Sequence, residues 1–301
     1  MLALDRVSKT YPNGVEALAR FSAAIRQGEI LAIIGGSGCG KSTLLRAIAG
    51  LDRASSGTVT LDSEAISSPH AKIGIIYQND DFGRDVLKGF KDGLGAKTSS
   101  IVAELSYETS DPTIDSQVVR CKSAGANVFM SMTTPKFAAQ GIKKVAELNW
   151  QPTHYIGNNA SSAGSTLKAA GFDISKGIIS TNYGKDPADP QWKDDPGVKA
   201  YFAFMDKYYP EGDKLNTVNT YGYSTAELLI QVLKQCGDNL TRENLMKQAA
   251  SLNFEIGIYL PGTKIRTGPD DYAPIEQLQM MRFKGESWER FGPIMSGEKN
   301  S

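Results

Sequence analysis

Eight residues near the start of the chain, Gly35 to Ser42, have the sequence of a phosphate-binding loop. They read GGSGCGKS and match in full the pattern of a glycine, four residues, a glycine, a lysine and a serine or threonine. The glycines allow backbone N–H groups to surround phosphate oxygens at the start of a helix, where the helix dipole favours an anion. Lys41 can supply a cation for the β- and γ-phosphates, and Ser42 a hydroxyl for Mg²⁺. The motif therefore predicts ATP with Mg²⁺ as a ligand.

The sequence on either side of this loop has the composition that the motif requires. Glu29–Ile34 is a short apolar run and predicts a strand leading into the loop, while Ser42–Ala49 predicts an apolar-faced helix leading out of it. Val15–Ile25 and Thr58–Asp62 have the apolar content of strands. The opening of the chain is thus predicted to be a partial P-loop NTPase fragment of the strand–loop–helix type.

Length, charge and residue counts exclude several classes of protein. The 301 residues leave room for about two domains, and 33 basic residues balance 33 acidic ones, which gives no indication of a nucleic-acid partner. No stretch approaches the roughly 18 apolar residues of a membrane span, and no secretory signal pattern opens the sequence. Three cysteines and two histidines argue against a disulfide framework and a metal site. As it stands, the sequence predicts a cytoplasmic protein without a membrane span.

From Lys72 onward, short apolar strands alternate with helices. Strands are predicted at residues 72–78, 101–107, 127–131, 153–157 and 177–181, and helices between them at 83–94, 115–123, 135–148 and 162–170. This alternation predicts an α/β fold with a doubly wound parallel sheet and right-handed crossovers. A proline-rich, charged connector (184–197), helices at 198–209, 218–235 and 241–251 and a tail hairpin (277–291) are predicted to follow.

A ligand site is predicted beyond the carboxyl ends of these strands, because open α/β sheets bind their ligands there. An aromatic ring at this edge could stack against an apolar ligand, and hydroxyl and amide groups could hold an ammonium or a carboxylate. The alternative is that the polar residues cap helices and form turns. The predicted ligand-binding residues are Phe82, Thr133, Thr134, Asn158, Asn159 and Tyr221, with Tyr223 as the alternative to Tyr221.

Residues 1–78 resemble the start of an ABC transporter ATP-binding subunit, of the type that imports nitrate, taurine or sulfonates. Beside the phosphate loop, the resemblance lies in KTYPNG (9–14), LLRAIAGL (44–51) and SGTVTL (56–61). It implies that Tyr11 lies against the adenine ring and that Gln78 reaches Mg²⁺ and the attacking water. The nucleotide-binding residues that it implies are Tyr11, Gly35, Gly38, Cys39, Gly40, Lys41, Ser42, Thr43 and Gln78, with Ser42 also a ligand of Mg²⁺.

The other catalytic motifs of that family are missing after residue 78. The sequence has no LSGGQ-type signature, no run of four apolar residues ending in Asp-Glu to hold Mg²⁺ and polarise water, and no histidine at a switch position. We therefore assign no catalytic residue, and we do not expect ATP hydrolysis.

Residues 71–301 resemble a leucine/isoleucine/valine-type periplasmic solute-binding protein that lacks most of its first lobe. The resemblance lies in residues 72–93, 123–131, 151–158 and 261–291. It implies a type I periplasmic-binding-protein fold, in which two α/β lobes close on a small solute. The implied domains are an ATP-binding fragment (1–71), the second solute-binding lobe (72–184) and a return segment to a truncated first lobe with the tail (185–301). The helices at 198–209 and 218–235 would then leave an apolar face uncovered.

Together the two resemblances imply a component of an ABC importer. It would be a substrate-binding protein for a branched-chain amino acid or a related small carboxylate, with an incomplete ATP-binding start and both activities impaired. Its partners would be that solute and an ABC permease, and the family of the later part is periplasmic. Two alternatives stay open. One is an ATP-binding subunit. The other is a non-functional recombinant remnant joined between about Pro69 and Gln78, because the two families act on opposite sides of a membrane.

Overall fold

The computed structural model describes residues 1–11, 13–36, 38–66 and 71–297. The chain divides into two compact units, Met1–Ala71 and Lys72–Ser301, and each has its own buried apolar core. Ser37 of the phosphate loop, and Pro69 at the predicted junction, lie outside the described residues.

The first unit contains a four-stranded antiparallel sheet and one helix. The strands are β1 (Leu2–Thr10), β2 (Glu16–Ile25), β3 (Ser56–Leu61) and β4 (Glu64–Ala65), in the order β2-β1-β3-β4, and the helix is α1 (Lys41–Ile48). Leu44 and Ala47 of α1 pack in one cluster with side chains of the first three strands. The predicted strands at 15–25 and 58–62, and the predicted helix after the loop, are confirmed.

The predicted strand Glu29–Ile34 is not formed. No strand is assigned between residues 26 and 40 in the described part of the chain. Ile30 is 98% exposed and Ile34 is 92% exposed. A strand of a parallel sheet is held by hydrogen bonds to its neighbours, and no described strand pairs with this segment. The prediction of a strand–loop–helix fragment is therefore wrong at its strand.

The second unit is built on a seven-stranded sheet. Its strands are β5 (Ile73–Gln78), β6 (Ile101–Tyr107), β7 (Val128–Met132), β8 (Thr153–Ile156), β9 (Ile179–Asn182), β12 (Gln277–Phe283) and β13 (Trp288–Ser296), and a separate short pair is β10 (Asn253–Phe254) with β11 (Ile265–Arg266). The order is β13-β12-β9-β8-β7-β5-β6, with β5 to β9 parallel and the tail hairpin antiparallel. The doubly wound, mainly parallel sheet is thereby confirmed.

Helices connect the parallel strands of this sheet. They are α2 (Asp81–Leu94), a 3₁₀ turn (Gly95–Ser100), α3 (Asp115–Ser123), α4 (Pro135–Glu147), a π-helical turn (Ala163–Leu167) that leads into α5 (Lys168–Ala170), and α6 (Phe172–Ser175). The chain moves from β5 to β6 in one direction along the sheet and from β6 through β7 and β8 to β9 in the other. With right-handed crossovers, α2 lies on one face of the sheet and the later helices on the opposite face.

The face that carries α3 and α4 holds a buried cluster rich in aromatic residues. Phe129 of β7 and Tyr107 of β6 are fully buried there. Tyr107 lies against Phe137, with ring centroids 4.4 Å apart, and Phe129 lies against Trp150 at 5.3 Å. The opposite face of β7 is only half-buried, since Val128, Met130 and Met132 alternate with buried residues along the strand.

Between β9 and the tail hairpin, three helices pack around a separate cluster. They are α7 (Pro196–Tyr208), α8 (Thr217–Cys236) and α9 (Arg242–Ala249). Val198, Tyr201 and Met205 of α7 pack there with Val232 of α8. A second face of α8 is exposed and apolar, through Val218, Tyr221, Leu229, Ile230 and Leu233. The uncovered apolar face expected for this helix is thus observed.

Candidate functional site

A cavity of about 310 Å³ lies at the carboxyl ends of β8 and β9, and we call it the polar cavity. It is lined by Asn158, Asn159, Ser161, Asn182, Tyr183, Gly184, Lys185, Thr217, Val218, Thr220, Tyr221, Ser224, Ile258 and Tyr259. These residues come from the turns after the two strands, from the first two turns of α8 and from the segment before β11. A cavity in this position and of this size is typical of small-molecule sites in open α/β folds.

The turn after β9 is fixed by the side chain of Asn182. Its carboxamide oxygen accepts hydrogen bonds from the N–H groups of Tyr183, at 2.9 Å, and Gly184, at 3.1 Å. Asparagine commonly forms such turns, because its short side chain can replace a backbone acceptor. The segment that follows is therefore held in one conformation where it lines the cavity.

The opposite wall is formed by α8 and Tyr259. Asn216 caps the helix by accepting a hydrogen bond from the N–H of Val218 at 3.0 Å. The Tyr259 hydroxyl donates to Ser224 Oγ at 3.3 Å, and its ring lies edge-on to Tyr183, with centroids 5.2 Å apart. Burial raises the pKa of Tyr183 to about 12, so its phenol is neutral at physiological pH. This wall is aromatic and uncharged.

Lys185 is the one charged side chain among the described residues that line the polar cavity. Its ammonium is buried and lies 2.8 Å from the carboxylate of Asp195. It also donates to the carbonyl oxygen of Gly257 at 2.7 Å, and it lies 5.4 Å from the ring centroid of Trp192. Since its charge is neutralised by Asp195, a ligand in the cavity meets neutral hydrogen-bonding groups.

A second cavity of about 390 Å³ lies on the α2 face of the sheet, and we call it the apolar cavity. Its lining side chains are mainly hydrophobic, and the lining residues are Phe82, Val86, Met130, Met132, Tyr155, Ile156, Gly157, Asn158, Asn159, Ser180, Thr181 and Met280. Asn158 and Asn159 line both cavities. They belong to the short 3₁₀ turn Asn158–Ala160 that follows β8.

Four of the six predicted ligand-binding residues line at least one of these cavities. Phe82 lines the apolar cavity, Tyr221 lines the polar cavity, and Asn158 and Asn159 line both. The alternative residue Tyr223 instead packs edge-on against Tyr201, on the other side of α8.

Thr133 and Thr134 do not line either cavity. Thr133 is fully buried, and its hydroxyl lies 3.1 Å from that of Ser131. The N–H of Thr134 donates to the hydroxyl of Tyr107 at 3.0 Å, and Thr134 is the residue before α4. Both threonines lie in the link between β7 and α4.

Several lining residues were not predicted from the sequence. Ser224 lies one turn after Tyr221 on α8, so the helical period could have indicated it. Ser161, Lys185 and Tyr259 come from irregular segments, and no pattern in the sequence could have placed them at the cavity.

Two glycines of the phosphate loop have backbone conformations that suit its motif. Gly38 and Gly40 have positive φ angles of 81° and 91°, which favour glycine. The Lys41 ammonium donates to the carbonyl oxygens of Gly35 and Gly36, at 2.7 and 2.6 Å. The glycines, the helix start and the lysine are the kinds of group that bind phosphate. The Lys41 ammonium, however, is bonded to carbonyl oxygens of the loop.

The other predicted nucleotide-binding residues of the first unit differ in exposure and in partners. Cys39 and Ser42 are exposed and Thr43 is half-buried. The hydroxyl of Tyr11 donates to the carboxylate of Asp52 at 3.2 Å. No group of three metal-ligating side chains occurs in the described residues.

Gln78 belongs to the second unit, as the last residue of β5. It is buried, and its carboxamide oxygen accepts a hydrogen bond from the Tyr107 hydroxyl at 2.9 Å. Its amide group donates to Asp80. Both ends of the side chain are thus held within the second unit.

A sequence model of the family described as periplasmic binding protein matches residues 50–287, well over half of the chain. The chain belongs to this family. A crystal structure of a branched chain amino acid ABC transporter from Thermus thermophilus with bound valine has a similar fold, with a TM-score of 0.64 and 15% identity. The similarity covers 76% of this periplasmic binding protein and 61% of that chain. None of the helices in the described ranges is both long and apolar enough to cross a membrane.

Curated relatives of another kind match only a short part of this chain. The sn-glycerol-3-phosphate import ATP-binding protein of Psychromonas ingrahamii is 41% identical over 81 residues, which are 26% of this chain and 22% of the relative. The aliphatic sulfonates import ATP-binding protein of Burkholderia cenocepacia is 49% identical over 61 residues, 20% of this chain and 23% of the relative. The chain thus spans less than a quarter of these relatives, and about three fifths of the solved structure. Both predicted resemblances are confirmed.

Proposed function

We propose that this protein captures a small organic solute in the polar cavity, as the binding component of an ABC importer. The observation that carries the proposal is the cavity itself, which lies at the carboxyl ends of β8 and β9 and offers neutral polar groups beside aromatic walls. Membership of the periplasmic binding protein family supports it. A branched-chain amino acid or a related small carboxylate is the ligand class that we propose, with an ABC permease as partner and the periplasm as location.

The proposal is tested by titration calorimetry of the purified chain with valine, leucine and benzoate. Tyr221 is 61% exposed, so its replacement disturbs little packing. We expect Tyr221→Ala to weaken binding about tenfold, because it removes one aromatic wall of the cavity. Tyr208→Ala on α7 is the matched control, since Tyr208 is 63% exposed and does not line the cavity. Equal losses in both variants, or no binding of any of the three solutes, would refute the proposal.

A second candidate function is the binding of Mg-ATP at the phosphate loop. It is supported by the positive φ angles of Gly38 and Gly40 and by the position of Lys41 at the loop. Lys41 and the backbone N–H groups would hold the phosphates and Ser42 the Mg²⁺. Because Ile30–Ile34 form no strand behind the loop, we expect an affinity no tighter than about 1 mM. Binding much tighter than this, lost in Lys41→Ala, would favour the nucleotide function instead.

A further inference from the structure

The polar and apolar cavities meet at one turn of the second unit. Asn158 and Asn159 line both of them, and the two cavities lie on either side of this turn at the same edge of the sheet. Asn159 is held in place because its amide donates to the carbonyl oxygen of Thr133 at 3.3 Å. The two cavities therefore adjoin at this turn.

The floor of the apolar cavity is formed by side chains of four strands, and most of these side chains are apolar. Met130 of β7 lies beside Tyr155 of β8 in the register of the sheet, and Thr181 of β9 lies beside Met280 of β12. These residues are half-buried and lie on the face opposite to α3 and α4. Methionine side chains are flexible and polarizable, so they adapt to apolar ligands of different shape.

The sides of the apolar cavity are also apolar. Phe82 and Val86 of α2 form its wall, and Phe82 is 43% exposed, as expected for a ring that borders an open cavity. Among the polar lining residues, Ser180 is buried and donates its hydroxyl to the carbonyl oxygen of Ile156 at 3.0 Å, so it is already satisfied. Tyr155 and Thr181 also carry hydroxyl groups, and the asparagines supply amide groups at the end that adjoins the polar cavity.

The polar end suits a head group that accepts hydrogen bonds. The side-chain amide of Asn158 makes no hydrogen bond with any described residue. The amide and the nearby tyrosine hydroxyls are donors, and the charge of Lys185 is taken up by Asp195. A small carboxylate or amide group, including the carboxylate of an amino acid, is compatible with this set.

We infer that the ligand of this protein is an amphipathic molecule, with a small hydrogen-bond-accepting head in the polar cavity and a medium-length apolar tail in the apolar cavity. This inference rests on the proposed solute-binding function and extends it to a ligand longer than a branched-chain amino acid. Each methylene placed in the apolar cavity should tighten binding about fourfold.

The test is calorimetry with acetate, butanoate, hexanoate and octanoate, with valine as the short reference ligand. We expect the affinity to rise from acetate to octanoate by about fourfold per methylene. The variants Met280→Gln and Val86→Thr keep the side-chain size but make the apolar cavity polar. Either should weaken octanoate about tenfold and leave valine unchanged. Met246→Gln is the matched control, since Met246 is exposed on α9 and outside the cavity.

The outcomes separate the two proposals. Valine binding that depends on Tyr221, with no increase along the carboxylate series, would overturn the amphipathic ligand and keep the solute-binding function. A chain-length effect that persists in both Met280→Gln and Val86→Thr would also overturn it, because the tail would then lie elsewhere, such as on the exposed face of α8. Absence of binding for every solute would overturn both. Circular dichroism of each variant confirms that it is folded before its affinity is compared.

Discussion

Replacement of Lys185 by methionine tests how the polar cavity is held in shape. The Lys185 side chain is 7% exposed, and its ammonium bonds to Asp195 and to the Gly257 carbonyl. It therefore ties the turn after β9 both to the start of α7 and to the segment before Tyr259. Lys185→Met leaves the Asp195 carboxylate without its cation. Breaking a buried ion pair from one side costs 3–5 kcal/mol. Asp195 keeps its hydrogen bond from the N–H of Val198, so we expect about 3 kcal/mol, at the lower end.

The assay is urea denaturation followed by tryptophan fluorescence. All three tryptophans, Trp150, Trp192 and Trp288, lie in the second unit, so the signal reports the unfolding of that unit. In a thermal melt of a unit of this size, a loss of 3 kcal/mol in the free energy of unfolding corresponds to a fall of about 6–12 °C in Tm. Lys199→Met is the matched control, because Lys199 forms an exposed pair with Asp194 at 3.0 Å, and such pairs contribute less than about 1 kcal/mol.

A double-mutant cycle with Asp195→Asn separates the ion pair from the loss of lysine packing. If the pair dominates, Lys185→Met should cost much less in the Asp195→Asn background, and the two changes should be non-additive by at least about 1 kcal/mol. Equal destabilisation by Lys185→Met and Lys199→Met, or full additivity in the cycle, would refute the argument that this pair fixes the cavity.

Three further predictions concern other parts of the second unit. Gly83→Ala should destabilise the second unit by at least about 3 kcal/mol in a urea titration, since the new Cβ would lie 1.9 Å from the Gln78 carbonyl oxygen. Gly89→Ala on the same helix is the control. Its new Cβ meets no atom within 4 Å, so it should stabilise the unit by about 0.5–1 kcal/mol. Burial raises the pKa of Asp186 to about 6, above its unfolded value. The free energy of unfolding should therefore fall by about 3 kcal/mol as pH rises from about 4 to 6. Asp186→Asn should remove this pH dependence. Leu229→Lys should reduce self-association in analytical ultracentrifugation at unchanged stability, because Leu229 is exposed on the apolar face of α8.

The fold of the second unit could be predicted from the sequence because its strands and helices differ in pattern. Ile73–Gln78 is a continuous apolar run, as a strand covered on both faces requires, and α2 has its apolar residues at helical spacing. Asn158 was predicted from the rule on the carboxyl ends of strands, and it lines the polar cavity. Lys185 and Tyr259 could not be predicted, because irregular segments bring them to the cavity.

At Glu29–Ile34 the sequence predicted a strand that is not formed. Its sequence has the composition of a buried strand, and the same composition occurs in Ile73–Gln78, where a strand is formed. The difference lies outside the segment. β5 has β6 and β7 on its two sides, whereas no described strand pairs with Glu29–Ile34. Local composition therefore predicts the tendency to form a strand, and the presence of neighbours decides whether it is formed.

The same dependence on neighbouring segments distinguishes nucleotide binding at the phosphate loop from solute binding in the polar cavity. The phosphate loop relies on the segment before it, and Ile30 and Ile34 of that segment are almost fully exposed, so little fixes the loop against the charge of a nucleotide. The polar cavity is formed entirely by the second unit, and its walls are fixed by Asn182, the Lys185–Asp195 pair and the bond from Tyr259 to Ser224. A preformed site loses less conformational freedom when its ligand binds. Solute binding is therefore the function that the arrangement of the chain favours.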